Sequence, residues 1–423
     1  MKQKFYDRIG ETVYSETLPN GLKICVVPKS GFTKKYAFFA TRYGGMDTRF
    51  QLDGQWLDTP AGIAHYLEHK MFDTKEGNAL QELAKNGAEP NAFTSNAMTG
   101  YYFDSTDHFE ENLEILLSFV SIPYFTEESV AKEQGIIGQE IRMIEDNPDW
   151  QIYTRMLKAM YSENPARTSI AGTVESISHI TAQTLYDCHK AFYTPSNMIL
   201  TVVGDVDPIH VVDIARRILP REGGAVIPRD YGMEPENVAE HETSIAMEVS
   251  SPQFLVGFKC APVEEGEEYL RAAVIGDLAC DILLGDSSPL YQRLYDQSLI
   301  NTSFGGAHEM LPGIAYLYAG GDSKDARTVA MEIRKEAESL VREGIDSEFY
   351  ERVKRAAFGS NLRGLDSFEN IAVSLTEGYF HGYDPLVFPK VFESVTKEDV
   401  VEFLRTNIRE ERMVLSEIVP KEV

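Results

Sequence analysis

Five consecutive residues, His65-Tyr66-Leu67-Glu68-His69, have the types and spacing of a metal-dependent hydrolytic centre. On an α-helix, residues i and i+4 share a face, so both imidazoles can meet one cation. Glu68 falls three residues after His65 on the same side, a carboxylate base within reach of a water activated there. The order reverses the commoner His-Glu-x-x-His pattern and is the inverzincin arrangement. The competing reading is a pair of surface histidines with a chance glutamate between them. A third ligand elsewhere in the chain separates the two.

Catalytic zinc ordinarily takes three protein ligands and keeps a fourth position open. The stretch 126–144 carries Val130, Ile136, Ile137, Ile141 and Ile144 at helical spacing and is interrupted by Asn147-Pro148. Glu133 and Glu140 stand two turns apart on one face of that helix. An acidic residue on a helix is more often solvated than liganding. A site with two histidines and no anion nevertheless points to Glu140 as the third ligand. Glu133 is then a carboxylate behind the site, holding a ligand or a positive group in place.

These side chains need two helices and a sheet to hold them. Asp58-Thr59 followed by Pro60 predicts the cap and first turn of the histidine helix. Before it come a hairpin, with strands at 13–16 and 22–27 around Pro19-Asn20-Gly21, and a strand over 35–42. After it come a strand around Asn91, further helices, a returning strand over 199–203 and a helix over 208–219. Residues 221–242, rich in Gly, Pro and charge, read as a linker. The second half restarts with strands at 244–249 and 253–258 and continues with helices near 266–298, 325–343 and 347–362. Strands and helices are segregated, which predicts an α+β sandwich in each half. The expected division is a metal-binding domain over 1–220, the linker, and a related domain over 243–423 with no metal site. The second-half histidines, His241, His308 and His381, lack partners at metal-binding spacing.

A chain of 423 residues suits two domains. Its net charge of −26 argues against nucleic acid as a partner, because phosphate binding needs clustered Lys and Arg. No apolar run approaches the length of a membrane span. The N-terminal residues have neither the apolar core of a secretory signal nor the basic, acid-free character of a mitochondrial one. The four cysteines, Cys25, Cys188, Cys260 and Cys280, are widely separated and predict reduced thiols in the cytoplasm.

The motif, its spacing to Glu133 and Glu140, and several further segments resemble the insulinase and pitrilysin metallopeptidases, which include mitochondrial processing peptidase. Matching segments are Asn91-Ala92-Phe93-Thr94, Ala171-Gly172-Thr173-Val174-Glu175, Tyr193 to Met198, and Val202-Val203-Gly204-Asp205. The matches span most of residues 10–220, and the second half is similar mainly in pattern. The resemblance implies two related α+β domains facing one another around a cavity. It implies zinc held by His65, His69 and Glu140, with Glu68 as base. The 91–94 strand becomes the substrate-binding edge, to which an extended peptide adds through main-chain hydrogen bonds.

In one respect the chain departs from the family. Active members supply an arginine, and a tyrosine seven residues later, from a second domain. Here those positions fall on Tyr295 and on Asn301 or Thr302, and Arg293 is two residues off. The expectation is therefore a zinc endopeptidase acting on peptides or unfolded segments, completed by a paralogous partner in a heterodimer. Two alternatives are a dedicated leader-peptide maturation protease and a non-catalytic structural subunit.

Overall fold

In the computed structural model, which describes residues 1–421, the chain forms two compact units that interleave in sequence. One comprises Met1–Ile141, Ser169–Tyr231 and Leu362–Leu386; the other comprises Arg142–Thr168, Gly232–Asn361 and Val387–Val423.

The first unit is built on a seven-stranded sheet. In spatial order its strands are Lys2–Tyr6, Glu11–Thr17, Lys23–Pro28, Met198–Gly204, Lys35–Thr41, Thr99–Ser105 and Glu89–Thr94. Only the pairing of Met198–Gly204 with Lys23–Pro28 is parallel. Every residue of Met198–Gly204 is buried, as a strand covered on both faces requires. Helices Phe109–Ser121 and Pro208–Ile218 pack on one side. Helix Phe368–His381 covers the other, lying against Met198–Gly204 and Lys35–Thr41. Its Ile371, Ala372 and Leu375 join Val27, Phe38, Ala40, Ile199 and Val203 in one apolar cluster. Each such large side chain contributes about 1.5–3 kcal/mol by leaving water.

The second unit repeats the scheme with five strands, in the order Glu242–Met247, Met413–Pro420, Gln253–Cys260, Ile314–Asp322 and Gly305–Leu311. Again one pairing, Glu242–Met247 with Met413–Pro420, is parallel and the rest are antiparallel. This sheet reproduces the order and directions of the last five strands of the first. Helix Pro148–Met160 covers one face, and the small Gly257 lets Met156 and Met160 approach the strand. Helices Glu268–Leu284, Ala326–Glu343 and Lys397–Asn407 pack together on the same unit.

The α+β architecture with two related sheets is as the sequence predicts. The partition is less simple than a linker at 221–242. Residues 142–168 pack with the second sheet and 362–386 with the first. Helix Phe368–His381, which the sequence reading does not single out, follows the second-half helices in the chain but packs on the first sheet. The helical stretch near 266–298 is broken at Gly285, and Ser288 caps a second helix, Pro289–Asp296.

Candidate metal centre

The site lies in the first unit, where helices Ile63–Met71 and Glu127–Glu145 meet beside the edge strand Glu89–Thr94. The histidine helix does not start at Pro60. Its N-cap is Gly62, at φ 93° and with no side-chain cap. Asp58 instead ends a short strand and pairs with Arg49 at 2.7 Å. The start is set by a loop distant in sequence. A side chain on Gly62 would fall 2.5 Å from the Ala171 carbonyl, and one on Gly172, at φ 72°, would collide with the Ala61 carbonyl. Ser176 Oγ donates to that same Ala61 carbonyl at 2.8 Å. Two left-handed glycines thus interlock the 171–176 loop with the entry to the helix, a conformation that a Cβ would strain.

His65, His69 and Glu140 converge, with one ligand atom from each lying within 4.8 Å of the others. His65 Nε2 is 3.4 Å from Glu140 Oε1, and His69 Nε2 is 3.6 Å from Glu140 Oε2. These separations exceed the ordinary N–H···O range of about 2.7–3.2 Å. The two contacts end on different oxygens of Glu140, so the carboxylate faces both imidazoles, as a ligand shared with them around one cation would. Two imidazoles and a carboxylate on one small patch are a donor set that fits zinc. His69 Nδ1 lies 3.1 Å from Glu133 Oε1. A carboxylate only accepts, so this contact places the proton on Nδ1 and leaves the Nε2 lone pair free to bind a cation.

The local charges are strongly coupled. Burial lowers the His69 pKa, but the hydrogen bond with Glu133 and the charges of Glu68, Glu140 and Glu133 outweigh burial and leave it raised. Glu140 is held below its ordinary value by its polar contact with His65. Partial burial opposes this, and the positive character of His65 and His69 adds to it.

Glu68 is 8% exposed and accepts a hydrogen bond from Thr94 Oγ1 at 2.8 Å. Behind Thr94, the fully buried Thr99 hydroxyl donates to the Tyr43 carbonyl at 2.8 Å. The family resemblance assigns all four of Asn91, Ala92, Phe93 and Thr94 to substrate. They do lie on the sheet's edge strand, paired on one side with Thr99–Ser105. Alternation puts Thr94 and Ala92 on one face and Asn91 and Phe93 on the other. The Thr94–Glu68 contact joins a strand to a helix, and no local sequence signal marks it.

The family models match this chain over residues 54–174, "Insulinase (Peptidase family M16)", and over 179–357, "Peptidase M16 inactive domain". The "uncharacterized zinc protease YmfH" of Bacillus subtilis is 41% identical over 98% of both chains. The chain belongs to the insulinase family of peptidases, M16. An M16-like peptidase from Alicyclobacillus acidocaldarius superposes with a TM-score of 0.93 at 32% identity, covering 97% of this chain and 99% of that one. A protease of Helicobacter pylori shares the fold, with a TM-score of 0.81 at 22% identity over 96% of this chain and 99% of that one.

In this M16 chain, Tyr295 lies on helix Pro289–Asp296, 47% exposed and stacked on Tyr291. Asn301 donates to Asp322 at 3.0 Å. Arg293 is engaged by Glu336 at 2.7 Å, on a neighbouring helix of the same unit. Its guanidinium is thus already committed to an ion pair. Among the described residues, no helix is long and apolar enough to cross a membrane.

Proposed function

We propose that this chain is a zinc-dependent endopeptidase that cleaves extended peptides or unfolded segments. The observation that carries the reading is the spacing of His65 Nε2, His69 Nε2 and the two Glu140 oxygens, 3.4 and 3.6 Å. The relatives' description as zinc proteases supports the choice of metal. Zinc held by His65, His69 and Glu140 supplies Lewis-acid polarisation of the scissile carbonyl and acidifies the attacking water.

The chain's own residues supply the rest. Glu133 orients the His69 ring through Nδ1. Glu68, largely shielded from bulk solvent, accepts a proton from the attacking water and returns it to the leaving amine. Thr94 holds the carboxylate of Glu68 in one orientation. The edge strand Glu89–Thr94 aligns the substrate by main-chain pairing, which reads backbone more than side chains and so implies modest sequence selectivity. The four cysteines, all free and buried, support a reducing compartment, the cytoplasm.

Activity further depends, in this reading, on a paralogous partner that supplies the missing arginine and tyrosine. Tyr295 and Asn301 or Thr302 stand at the family's positions, and Arg293 is already paired with Glu336. The test combines Glu68→Gln with reconstitution. Glu68→Gln is expected to retain zinc and to lose turnover by about 10²–10⁴-fold, the usual share of a general base. Wild-type chain alone should be zinc-loaded and nearly inert toward an unstructured peptide library, and adding the partner should restore cleavage. Undiminished turnover by Glu68→Gln would remove Glu68 from the mechanism. Full activity of the isolated chain would remove the partner.

A further inference from the structure

Lys70 follows the second histidine directly and is completely buried. An ammonium group is costly to remove from water unless it is paired and hydrogen-bonded. Lys70 Nζ forms an ion pair with Asp73 and donates to the Ser129 carbonyl at 3.4 Å. Tyr66, one helical turn earlier and also fully buried, donates its hydroxyl to the adjacent carbonyl, Val130. The histidine helix therefore carries two i, i+4 pairs. His65 and His69 face Glu140 and Glu133, while Tyr66 and Lys70 hold the backbone at the start of the helix that carries those glutamates.

This arrangement has a geometric consequence. A helix held only by apolar contacts can slide or rotate at low cost, because the hydrophobic effect is non-directional. One residue of slip moves a side chain by about 1.5 Å and 100°. Metal ligands tolerate only about 0.2 Å. The hydrogen bond from Tyr66 to the Val130 carbonyl is directional and restrains both the slide and the rotation, and the longer Lys70–Ser129 contact, at 3.4 Å, adds a weaker restraint one residue away. Val130 lies three residues before Glu133 and ten before Glu140, so fixing that turn fixes where both carboxylates arrive.

We propose that Tyr66 and Lys70 are positioning residues of the metal centre, setting the register of helix Glu127–Glu145 against the two imidazoles. The proposal rests on His65, His69 and Glu140 being the zinc ligands. It predicts an unusual separation of effects. Removing one member of a buried ion pair is destabilising when the other stays buried and unpaired, but Asp73, the partner left behind, has a side chain that is 40% exposed and can be hydrated. Lys70→Met should therefore spare stability while it impairs the metal site.

The experiment uses the full chain as wild type, Lys70→Met, Tyr66→Phe and Glu140→Gln. Zinc affinity is measured by competition with a chromophoric chelator, geometry by the d–d absorption of the cobalt-substituted protein, and fold by the melting of the metal-free protein. Lys70→Met and Tyr66→Phe are expected to weaken zinc by about 10–100-fold, the range for groups that act through ligands. Both should shift the cobalt bands, with metal-free melting near wild type. Should Lys70→Met fail to fold, Tyr66→Phe, which removes a single oxygen, decides the matter. Wild-type zinc affinity and cobalt spectrum in folded variants would overturn the proposal. So would a loss of affinity that merely follows a loss of stability with the spectrum unchanged. Wild-type zinc affinity in Glu140→Gln would instead sink the ligand assignment beneath it.

Discussion

Thr94 Oγ1 donates to Glu68 Oε2 at 2.8 Å, joining the sheet's edge strand to the carboxylate beside the paired histidines. A carboxylate that must collect a proton and release it in a new direction benefits from a fixed orientation. A hydroxyl donor supplies that without adding charge.

Thr94→Val keeps the side chain's shape and removes that donor. Hydrogen bonds to charged groups contribute about 1.5–3 kcal/mol, so kcat should fall roughly 10–100-fold. Bound zinc should stay at the wild-type level, and Thr94→Ser should recover most of the rate. Steady-state kinetics with metal analysis on each variant checks this. Loss of metal in Thr94→Val would mean that the hydroxyl supports the ligands and not the base.

Glu140→Gln removes the one anionic donor of the converging set, and the protein is expected to purify without stoichiometric zinc. Glu133→Gln leaves all three donor atoms in place and loosens the His69 ring, so affinity should fall by about 10–100-fold. Chelator competition ranks the two. Equal affinities would show that Glu133 and Glu140 have been given the wrong roles.

Gly172→Ala places a methyl group against the Ala61 carbonyl at a backbone angle that L residues rarely adopt. Strain of this kind costs about 1–3 kcal/mol. It bears on the entry to the histidine helix, so melting temperature and zinc affinity should drop together. An unchanged melting curve would show that the loop yields freely.

His189 is buried on helix Ala182–Phe192, stacked on Tyr193 and hydrogen-bonded through Nε2 to the Val120 carbonyl at 3.2 Å. Burial pushes its pKa down to about 4, from 6.5. Above pH 6.5 the ring is neutral in both the folded and unfolded chains and adds no pH dependence. As pH falls from 6.5 to 4, the unfolded chain takes up a proton that the folded chain refuses, so stability is lost across that window and levels off below it. The full effect is about 3 kcal/mol. His189→Gln, which can still donate to Val120, should flatten the stability profile between pH 6.5 and 4 in urea titrations. A slope equal to wild type would show that other groups govern acid sensitivity.

The local chemistry of the site was legible in the residues themselves. The i, i+4 spacing of His65 and His69 puts two imidazoles on one helical face whatever surrounds them. Likewise, the helical run through 126–144 puts Glu133 and Glu140 on one face of a second helix. The strands at 13–16, 22–27, 35–42, 199–203 and 253–258 also follow from alternation and turn chemistry, whereas Lys2–Tyr6, Thr99–Ser105, Gly305–Leu311, Ile314–Asp322 and Met413–Pro420 do not emerge from that reading. Tertiary structure decided the rest. Asp58 and Thr59 have the types of helix caps, yet the helix begins at Gly62, because the loop carrying Gly172 and Ser176 occupies its N-terminus. Helix Phe368–His381 lies beyond the second-half helices expected from the sequence, and only packing shows that it covers the first sheet. The approach of Thr94 to Glu68, and of Tyr66 and Lys70 to successive carbonyls, depends on how a strand and two helices lie against one another. Periodicity specifies which face of an element is apolar, whereas the partner of that face is chosen by shape and burial summed over the whole unit.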